Sequence, residues 1–358
     1  MAEELDRIEI AYTYTYDQFT VFFYCDRIFV GKKDYPIGQC CVDVMNMDEA
    51  ILDEINLRVK ALVPAAQRLL TEKTDSAAAL AQERLNAVWD IIFSLPVYRD
   101  LKMDEESNYN TFQRLMEDKE KWAQVQEPAS EGYAIYQRML IELICFADKL
   151  RGLRQLIAIL TEKCLEPLKR RNSAAYADAY SYFYAQMLFA DVQVFGDEFE
   201  QGIPMEVNFV PMMHPTEEGA VFIAEKATFS SLMDFLQTEF YRGLAKGNAP
   251  RRCHNCGRYF LLTSGYNTCY CNNIAPGETK RTCRKVGAHR KEAQGKEHRT
   301  PAQKEYARTY NRLKTRKQRK KISTAEWNTA VAAAQELVAQ SEHGELTDEE
   351  LKNRLAEL

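Results

Sequence analysis

The sequence lacks the features that mark membrane and secreted proteins. It contains no run of about 18 uncharged apolar residues, which a membrane-spanning helix would need. Its first residues, MAEELDRIEI, are acidic where a secretory signal has a basic region followed by an apolar one. We therefore expect a cytoplasmic protein that folds in water and has no membrane partner.

Recognisable catalytic motifs are absent as well. The sequence has only five histidines, none of them in an H-E-x-x-H pair, and it contains no G-x-S-x-G, Walker-type or dinucleotide-binding glycine motif. The 52 carboxylates single out no catalytic pair. We expect a non-enzymatic protein. Internal repeats are also lacking.

The distribution of apolar residues predicts a mainly α protein with small β elements, an α+β fold. Residues 8–30 alternate and are rich in Tyr, Phe, Thr and Val, which predicts two or three strands. Helical periodicity runs from about residue 48 to 195, with Pro64 ending the first helix and another helix over 109–124. Residues 205–210 and 219–228 predict two further strands before a helix over 230–246.

These boundaries divide the chain into five segments. We predict an N-terminal β element (1–47), a helical body (48–204), a β-hairpin with a helix (205–250), a zinc-binding module (251–299) and basic and amphipathic helices (300–358). The last segment contains three helix starts: Thr300 with Pro301, and the capping boxes that begin at Ser323 and Thr347.

Five of the ten cysteines are crowded between positions 253 and 283. A reducing cytosol disfavours disulfides, so a tight cluster favours metal binding or redox chemistry. Cys253, Cys256 and Gly257 form C-x-x-C-G, in which a tight turn aims two sulfurs at one ion and the glycine relieves crowding. We predict a closed, tetrahedral, structural Zn²⁺ site, in a treble-clef or ribbon-like zinc knuckle, with the ligands Cys253, Cys256, Cys271 and Cys283.

Two alternative ligands stay open at this point. Cys269 forms C-x-C with Cys271 and could replace it, and His289 follows Cys283 by six residues and could replace that thiol. A redox C-x-x-C motif is disfavoured, because such a motif opens a helix after a strand. Here the following residues, GRYFLL, predict a strand.

The motif order R-x-C-x-x-C-G-x-x-F, Y-C, T-C-R and a basic tail resembles the C-terminal zinc module of an uncharacterised bacterial domain family. It is similar, more loosely, to the CGNR zinc-finger proteins, which implies a DNA-binding transcription regulator. The resemblance covers roughly residues 205–335. The compact second half-site ending in Cys-Gly-Asn-Arg is absent, since Cys271 and Cys283 stand far apart.

The net charge of −5 conceals a strong asymmetry. Residues 251–321 contain 20 Lys and Arg against 4 Asp and Glu, a balance of +16, which leaves −21 for the remainder. Basic side chains neutralise phosphates and release counterions, so this segment predicts nucleic-acid binding. Predicted contacts are Arg251, Arg252, Arg258, Lys280, Arg281, Arg284, Lys285, Arg312, Arg316, Lys317, Arg319 and Lys320, with Tyr259 and Tyr266 stacking on bases.

The predicted function is therefore a zinc-containing nucleic-acid-binding protein, such as a transcription regulator or an accessory factor of a mobile element or defence locus. The alternative is a protein-interaction or scaffold protein, in which zinc is purely structural. In that case the acidic helical body binds a protein partner and the basic tail docks on that body. RKQRKK also suits an anionic membrane surface, but no apolar helix face accompanies it.

Overall fold

A computed structural model of the chain describes residues 18–72, 74–102, 118–189, 202–214, 219–263, 268–297 and 299–358. It divides into two compact units, Met1–Cys271 and Asn272–Leu358. The boundary between them falls within the segment 251–299 that the sequence assigns to the zinc module. Among the described residues, no helix is both long enough and apolar enough to cross a membrane.

An antiparallel sheet of five strands lies in the first unit. Its strands are β1 (Phe19–Tyr24), β2 (Arg27–Val30), β3 (Lys33–Pro36), β4 (Glu206–Met213) and β5 (Val221–Phe229), in the order β3-β2-β1-β5-β4. The central strand, FTVFFY, is buried along its whole length and places Phe19 opposite Phe229. The predicted N-terminal strands and the hairpin near residue 205 are confirmed, although residues 8–17 lie outside the described part.

Eight helices are also described in this unit. They are α1 (Gln39–Met45), α2 (Glu49–Glu72), α3 (Asp75–Phe93), α4 (Pro96–Leu101), α5 (Lys119–Gln126), α6 (Glu131–Leu160), α7 (Ser173–Phe189) and α8 (Leu232–Lys246). A π-helical turn, Thr161–Leu165, continues α6. Most of the helix predicted over 109–124 lies outside the described residues, and α5 begins at the end of that range. The α+β fold class is confirmed.

The prediction that Pro64 ends a helix is wrong, because α2 continues through this residue. Proline removes one backbone hydrogen bond and strains the preceding turn, at a cost of about 3 kcal/mol in a helix interior. The helix continues because its buried residues on both sides of Pro64 pack in the main hydrophobic core; they include Leu52, Ile55, Leu62, Ala66 and Leu69. Burial of several large apolar side chains, each worth about 2 kcal/mol, offsets the local cost.

A buried carboxylate joins α8 to α1. Glu239 Oε1 accepts hydrogen bonds from the backbone N–H groups of Gly38 (2.6 Å) and Cys40 (3.1 Å), and Oε2 accepts one from Cys41 (2.9 Å). These groups belong to the N-terminus of α1, where N–H donors have no partner within the helix. Burial raises the pKa of Glu239, and the three donors oppose that rise.

After Gly247, the C-cap of α8, the chain forms a short hairpin of β6 (Ala249–Arg252) and β7 (Tyr259–Leu262). The predicted GRYFLL strand is thus confirmed. The connection between its two strands contains the C-x-x-C-G motif.

The second unit contains four helices, α9 (Cys283–Glu297), α10 (Pro301–Gln318), α11 (Thr324–Glu342) and α12 (Asp348–Glu357). The last three begin at Thr300, Ser323 and Thr347, each of which forms a complete capping box, so the predicted helix starts are confirmed. Helix α10 packs against α11 and α12 through a small core of Ala302, Ala334, Leu351 and Leu355.

Candidate metal centre

The C-x-x-C-G motif forms a tight turn between β6 and β7. Cys253 donates its backbone N–H to the carbonyl oxygen of Arg258 at 2.8 Å, and Gly257 donates to the carbonyl of Cys253 at 2.9 Å. Gly257 has a φ of 75°, in the left-handed region that favours glycine. No atom lies within 4 Å of where its Cβ would stand. The turn therefore requires glycine for its backbone conformation. The sequence-based expectation that Gly257 relieves crowding is wrong.

The four cysteines selected from the sequence come together. The sulfur atoms of Cys253, Cys256, Cys271 and Cys283 all lie within 4.8 Å of one another. Those of Cys256 and Cys271 are 3.7 Å apart, far longer than the roughly 2.05 Å of a disulfide. A tetrahedral site with metal–sulfur bonds of about 2.3 Å has sulfur–sulfur edges of about 3.8 Å. The group could therefore hold a metal ion.

The electrostatic environment favours the thiolate that metal binding needs. Burial alone raises the pKa of the Cys253 thiol, but backbone N–H groups of Cys271, Cys256 and Asn255 outweigh it and lower the pKa to about 7. One of these donors, the Cys271 N–H, lies 3.3 Å from the Cys253 sulfur. Thiolates are the form of cysteine that binds metals, so the lowered pKa of Cys253 favours the binding of a cation by this turn.

Local hydrogen bonding places Cys283 at the first turn of α9. An isolated bridge pairs Ile274 with Thr282, and the Cys283 N–H donates to the carbonyl of Asn273 at 2.8 Å. The Thr282 hydroxyl accepts a hydrogen bond from the Lys285 N–H at 3.3 Å. The long spacing between the last two cysteines is thus closed by a small loop that returns on itself and then starts a helix.

Both alternative ligands lie outside the four-sulfur group that the described residues form. The Cys269 sulfur instead accepts a hydrogen bond from Arg251 Nη2 at 3.0 Å. His289 is exposed on α9. The ligand set Cys253, Cys256, Cys271 and Cys283 is the one that the geometry favours.

Two residues that the sequence did not single out hold the C-x-x-C-G turn on the helical body. The side-chain amide of Asn46 donates to the carbonyl of Tyr259 and accepts from its N–H, both at 2.8 Å. Glu162 accepts a hydrogen bond from the Tyr259 hydroxyl at 2.9 Å and lies 3.4 Å from Arg252. Burial, followed by the bond to Glu162, raises the pKa of Tyr259 to about 12. Nothing in the local sequence marks either residue for this role.

The predicted nucleic-acid contacts of the first unit differ in their surroundings. Arg251 is buried, with 6% exposure, and its guanidinium contacts Cys269. Arg252 donates to the carbonyl of Gly257 as well as lying near Glu162. Arg258 is exposed. Tyr259 is half-buried, and Tyr266, the second predicted stacking residue, lies outside the described residues.

The predicted contacts of the second unit also fall into two groups. Arg281 pairs with Glu278 at 2.5 Å, and three cations of α10 contact other helices of the unit; these are Arg312, Arg316 and Lys317. The remaining predicted contacts are exposed, namely Lys280, Arg284, Lys285, Arg319 and Lys320. Two further exposed cations on α10, Lys304 and Arg308, were missed, although their spacing of four residues places them on one helix face.

Comparison with known proteins finds a family match that covers part of the chain. Residues 200–357, less than half of the sequence, match the model of a family of unknown function, DUF6076. The match contains all four clustered cysteines and the four helices of the second unit. A search of curated proteins and a search of solved structures each found no significant match. The resemblance to CGNR proteins gains no support and stays a prediction.

Proposed function

We propose that this chain is a non-enzymatic nucleic-acid-binding protein whose C-terminal part is stabilised by Zn²⁺. In this proposal Cys253, Cys256, Cys271 and Cys283 bind the ion, and the exposed cations of the basic segment bind nucleic-acid phosphates. A role in transcription or as an accessory factor of a mobile element or defence locus remains part of the proposal.

The identity of the metal follows from the chemistry of the donors. Four thiolates in a closed tetrahedral arrangement suit Zn²⁺, and they leave no coordination position for water or substrate. Such a site contributes to folding rather than to catalysis, because its binding free energy becomes folding free energy.

One observation carries the nucleic-acid proposal. Helix α10 contacts its acidic neighbours α11 and α12 through a small apolar core and through three cations that meet backbone oxygens or a ring rather than carboxylates. Lys304 and Arg308 of α10, and Arg319 at its C-cap, are exposed. Residues 299–358 are all described, and within them no ion pair joins a cation of α10 to an acidic side chain of α11 or α12. This arrangement favours an external anionic partner over neutralisation of the basic helix inside its own unit.

Metal content tests the first half of the proposal. We expect about one equivalent of zinc per chain by elemental analysis of protein purified without added metal. Titration of thiols should show four cysteines that react only after a strong chelator is added. Protection that persists in the chelator would contradict the assignment. The variant Cys145→Ser, which changes a half-buried cysteine outside the group, is the matched control.

Retention of nucleic acid tests the second half. The full chain should shift labelled DNA or RNA at about 50 mM salt, and its affinity should fall steeply as salt rises because counterions compete with the cations. Absence of any shift at this salt concentration would refute nucleic-acid binding. It would favour the alternative, in which zinc only stabilises the fold and the acidic body binds a protein.

A further inference from the structure

Helix α10 (Pro301–Gln318) presents a straight row of cations. Lys304 and Arg308 are exposed four residues apart, and Arg319, the C-cap of the helix, follows eleven residues later. At 3.6 residues per turn these three positions fall within about 60° of the helix circumference, and a rise of 1.5 Å per residue spreads them over about 22 Å. Exposed Asn311 and Thr315 lie between them on the same face. We call Lys304, Arg308 and Arg319 the cation row.

Three of the other four cations of α10 contact neighbouring helices of the unit, and the fourth, Lys314, is exposed about 80° around the helix from Lys304. Arg312 donates to the backbone oxygen of Leu355 at 2.5 Å, and Arg316 donates to that of Leu358 at 2.9 Å. The Lys317 ammonium lies 4.2 Å from the centre of the Trp327 ring. The two arginines supply hydrogen bonds to oxygens at the end of α12, where helix carbonyls lack partners. These three side chains therefore stabilise the unit.

The cations of the row make no such contacts with α11 or α12. Among the described residues, the side chains of Lys304 and Arg319 make no hydrogen bond or ion pair, and Arg308 pairs only with Glu305 one turn away on the same helix. The Arg308 side chain is 75% exposed in that pair. An exposed pair of this kind contributes little stability and leaves the guanidinium accessible.

A strained lysine follows the row directly. Lys320 has a φ of 55°, and its N–H donates to the Lys317 carbonyl while the Lys321 N–H donates to the Arg316 carbonyl, both at 2.9 Å. This is the hydrogen-bond pattern of a Schellman motif, in which the left-handed position is usually glycine. A side chain there costs about 1–2 kcal/mol. The exposed lysine therefore occupies its position at the expense of stability, which points to a use for its charge.

We propose that the cation row and Lys320 bind the phosphodiester backbone of a duplex nucleic acid, without regard to base sequence. This inference rests on the proposed function and specifies its partner. The row is straight, it is polar throughout, and its 22 Å equals roughly six base-pair steps along the duplex axis at about 3.4 Å per step. Contacts to phosphates position a protein on a duplex but do not identify bases.

Single strands fit this surface less well, because sequence-tolerant single-strand binding uses exposed aromatic side chains as stacking platforms. The aromatic residues of the unit are engaged with one another instead. The ring centres of Tyr306 and Tyr310 are 6.1 Å apart, those of Tyr310 and Trp327 are 5.9 Å apart, and all three residues are partly buried. A membrane surface also fits less well, since the row has no apolar side chains to insert among lipids.

The test compares two triple variants of the full chain that lose the same charge. Lys304→Gln/Arg308→Gln/Arg319→Gln removes the row, and Arg312→Gln/Arg316→Gln/Lys317→Gln removes the cations that contact α11 and α12. Binding to a 20-base-pair duplex is measured by fluorescence anisotropy over a salt series, and far-UV circular dichroism with thermal melting monitors folding. Duplexes of several sequences, a single strand of equal length and vesicles containing anionic lipid complete the assay.

We expect the row variant to melt like the unmodified protein and to bind the duplex at least tenfold more weakly. The slope of log affinity against log salt should become shallower by about 2–3, because each phosphate contact contributes about 0.9. The second variant should melt at lower temperature and lose less than one unit of slope. Affinity should vary less than threefold among duplex sequences.

Equal weakening by the two variants would overturn the cation row, since total charge alone would then explain binding. Tighter binding to the single strand would overturn the duplex assignment. Binding to vesicles but not to duplex would show that the partner of the row is a membrane surface. If the unmodified protein retained neither duplex nor single strand, the proposed function itself would fail. A row variant that misfolds would also count against the inference, because the three side chains are predicted to be structurally dispensable.

Discussion

Replacement of Lys320 by glycine should make the protein more stable and a weaker nucleic-acid binder. The φ of 55° places this residue in the left-handed region, where a Cβ costs about 1–2 kcal/mol. Glycine avoids that cost but adds about 0.5–1 kcal/mol of backbone entropy in the unfolded chain. The expected net stabilisation is about 0.5–1 kcal/mol, a rise of about 2–8 °C in the melting temperature of a unit of this size.

The neighbouring lysine provides the control. Within the described residues, the left-handed non-glycine positions are Cys25, Lys102 and Lys320, so Lys321 has an ordinary backbone conformation. Lys321→Gly removes the same charge and adds the same flexibility without relieving strain. It should therefore destabilise the protein by about 0.5–1 kcal/mol. Lys320→Gln, which removes the charge but keeps the strain, should leave stability nearly unchanged.

Thermal melting and binding together decide the outcome. Both Lys320→Gly and Lys320→Gln should make the salt dependence of duplex binding shallower by about 0.9, the contribution of one phosphate contact. A Lys320→Gly protein that melts below the unmodified one would refute the strain argument. Unchanged duplex binding by both variants would show that the charge at this position has no role in binding.

Three further predictions concern the clustered cysteines, the contacts of Asn46 and the buried Glu239. Cys283→Ser should reduce bound zinc well below one equivalent, whereas Cys269→Ser should leave it unchanged in elemental analysis; zinc loss in the second variant would mean that the ligand set is wrong. Asn46→Ala removes both hydrogen bonds to the Tyr259 backbone and should cost about 2 kcal/mol in urea unfolding, since each lost hydrogen bond is worth about 1 kcal/mol. A cost under 0.5 kcal/mol would show that water replaces the amide. For Glu239, burial raises the pKa, so its stability contribution is largest below the usual pKa of about 4.3 and declines as pH rises. The stability difference between the unmodified protein and Glu239→Gln should thus vary with pH in urea titrations, and a constant difference would contradict the raised pKa.

The local features of the fold followed from the sequence. Capping boxes at Ser323 and Thr347 and the turn at Gly257 depend on residues within a few positions, and their geometry is the same wherever such patterns occur. The prediction that Cys253 and Cys256 share one site was also local, because C-x-x-C places two sulfurs in one turn. Pro64 shows the limit of that reasoning, since its effect on the helix depends on packing that its neighbours in sequence do not reveal.

Contacts between distant positions were beyond sequence analysis. Asn46 binds the backbone of a residue 213 positions away, and Glu162 binds the side chain of one 97 positions away. Asn and Glu are common surface residues, so their type alone indicates no role. The contact of the Cys269 sulfur with Arg251, 18 positions away, was likewise not visible in the sequence.

The count of positive charges could not separate cations that contact other parts of the fold from cations that are left exposed. A balance of +16 in residues 251–321 treats every Lys and Arg alike, yet their surroundings differ within a single helix. Arg316 donates to a backbone oxygen, whereas Arg319 one turn later is exposed and makes no side-chain hydrogen bond in the described part of the chain. A cation that must give up an internal partner binds a phosphate less favourably, since breaking a charge-assisted hydrogen bond costs about 1.5–3 kcal/mol. In the proposed function, the charge available to phosphates is therefore smaller than the sequence suggests, because the fold has already used three cations of α10.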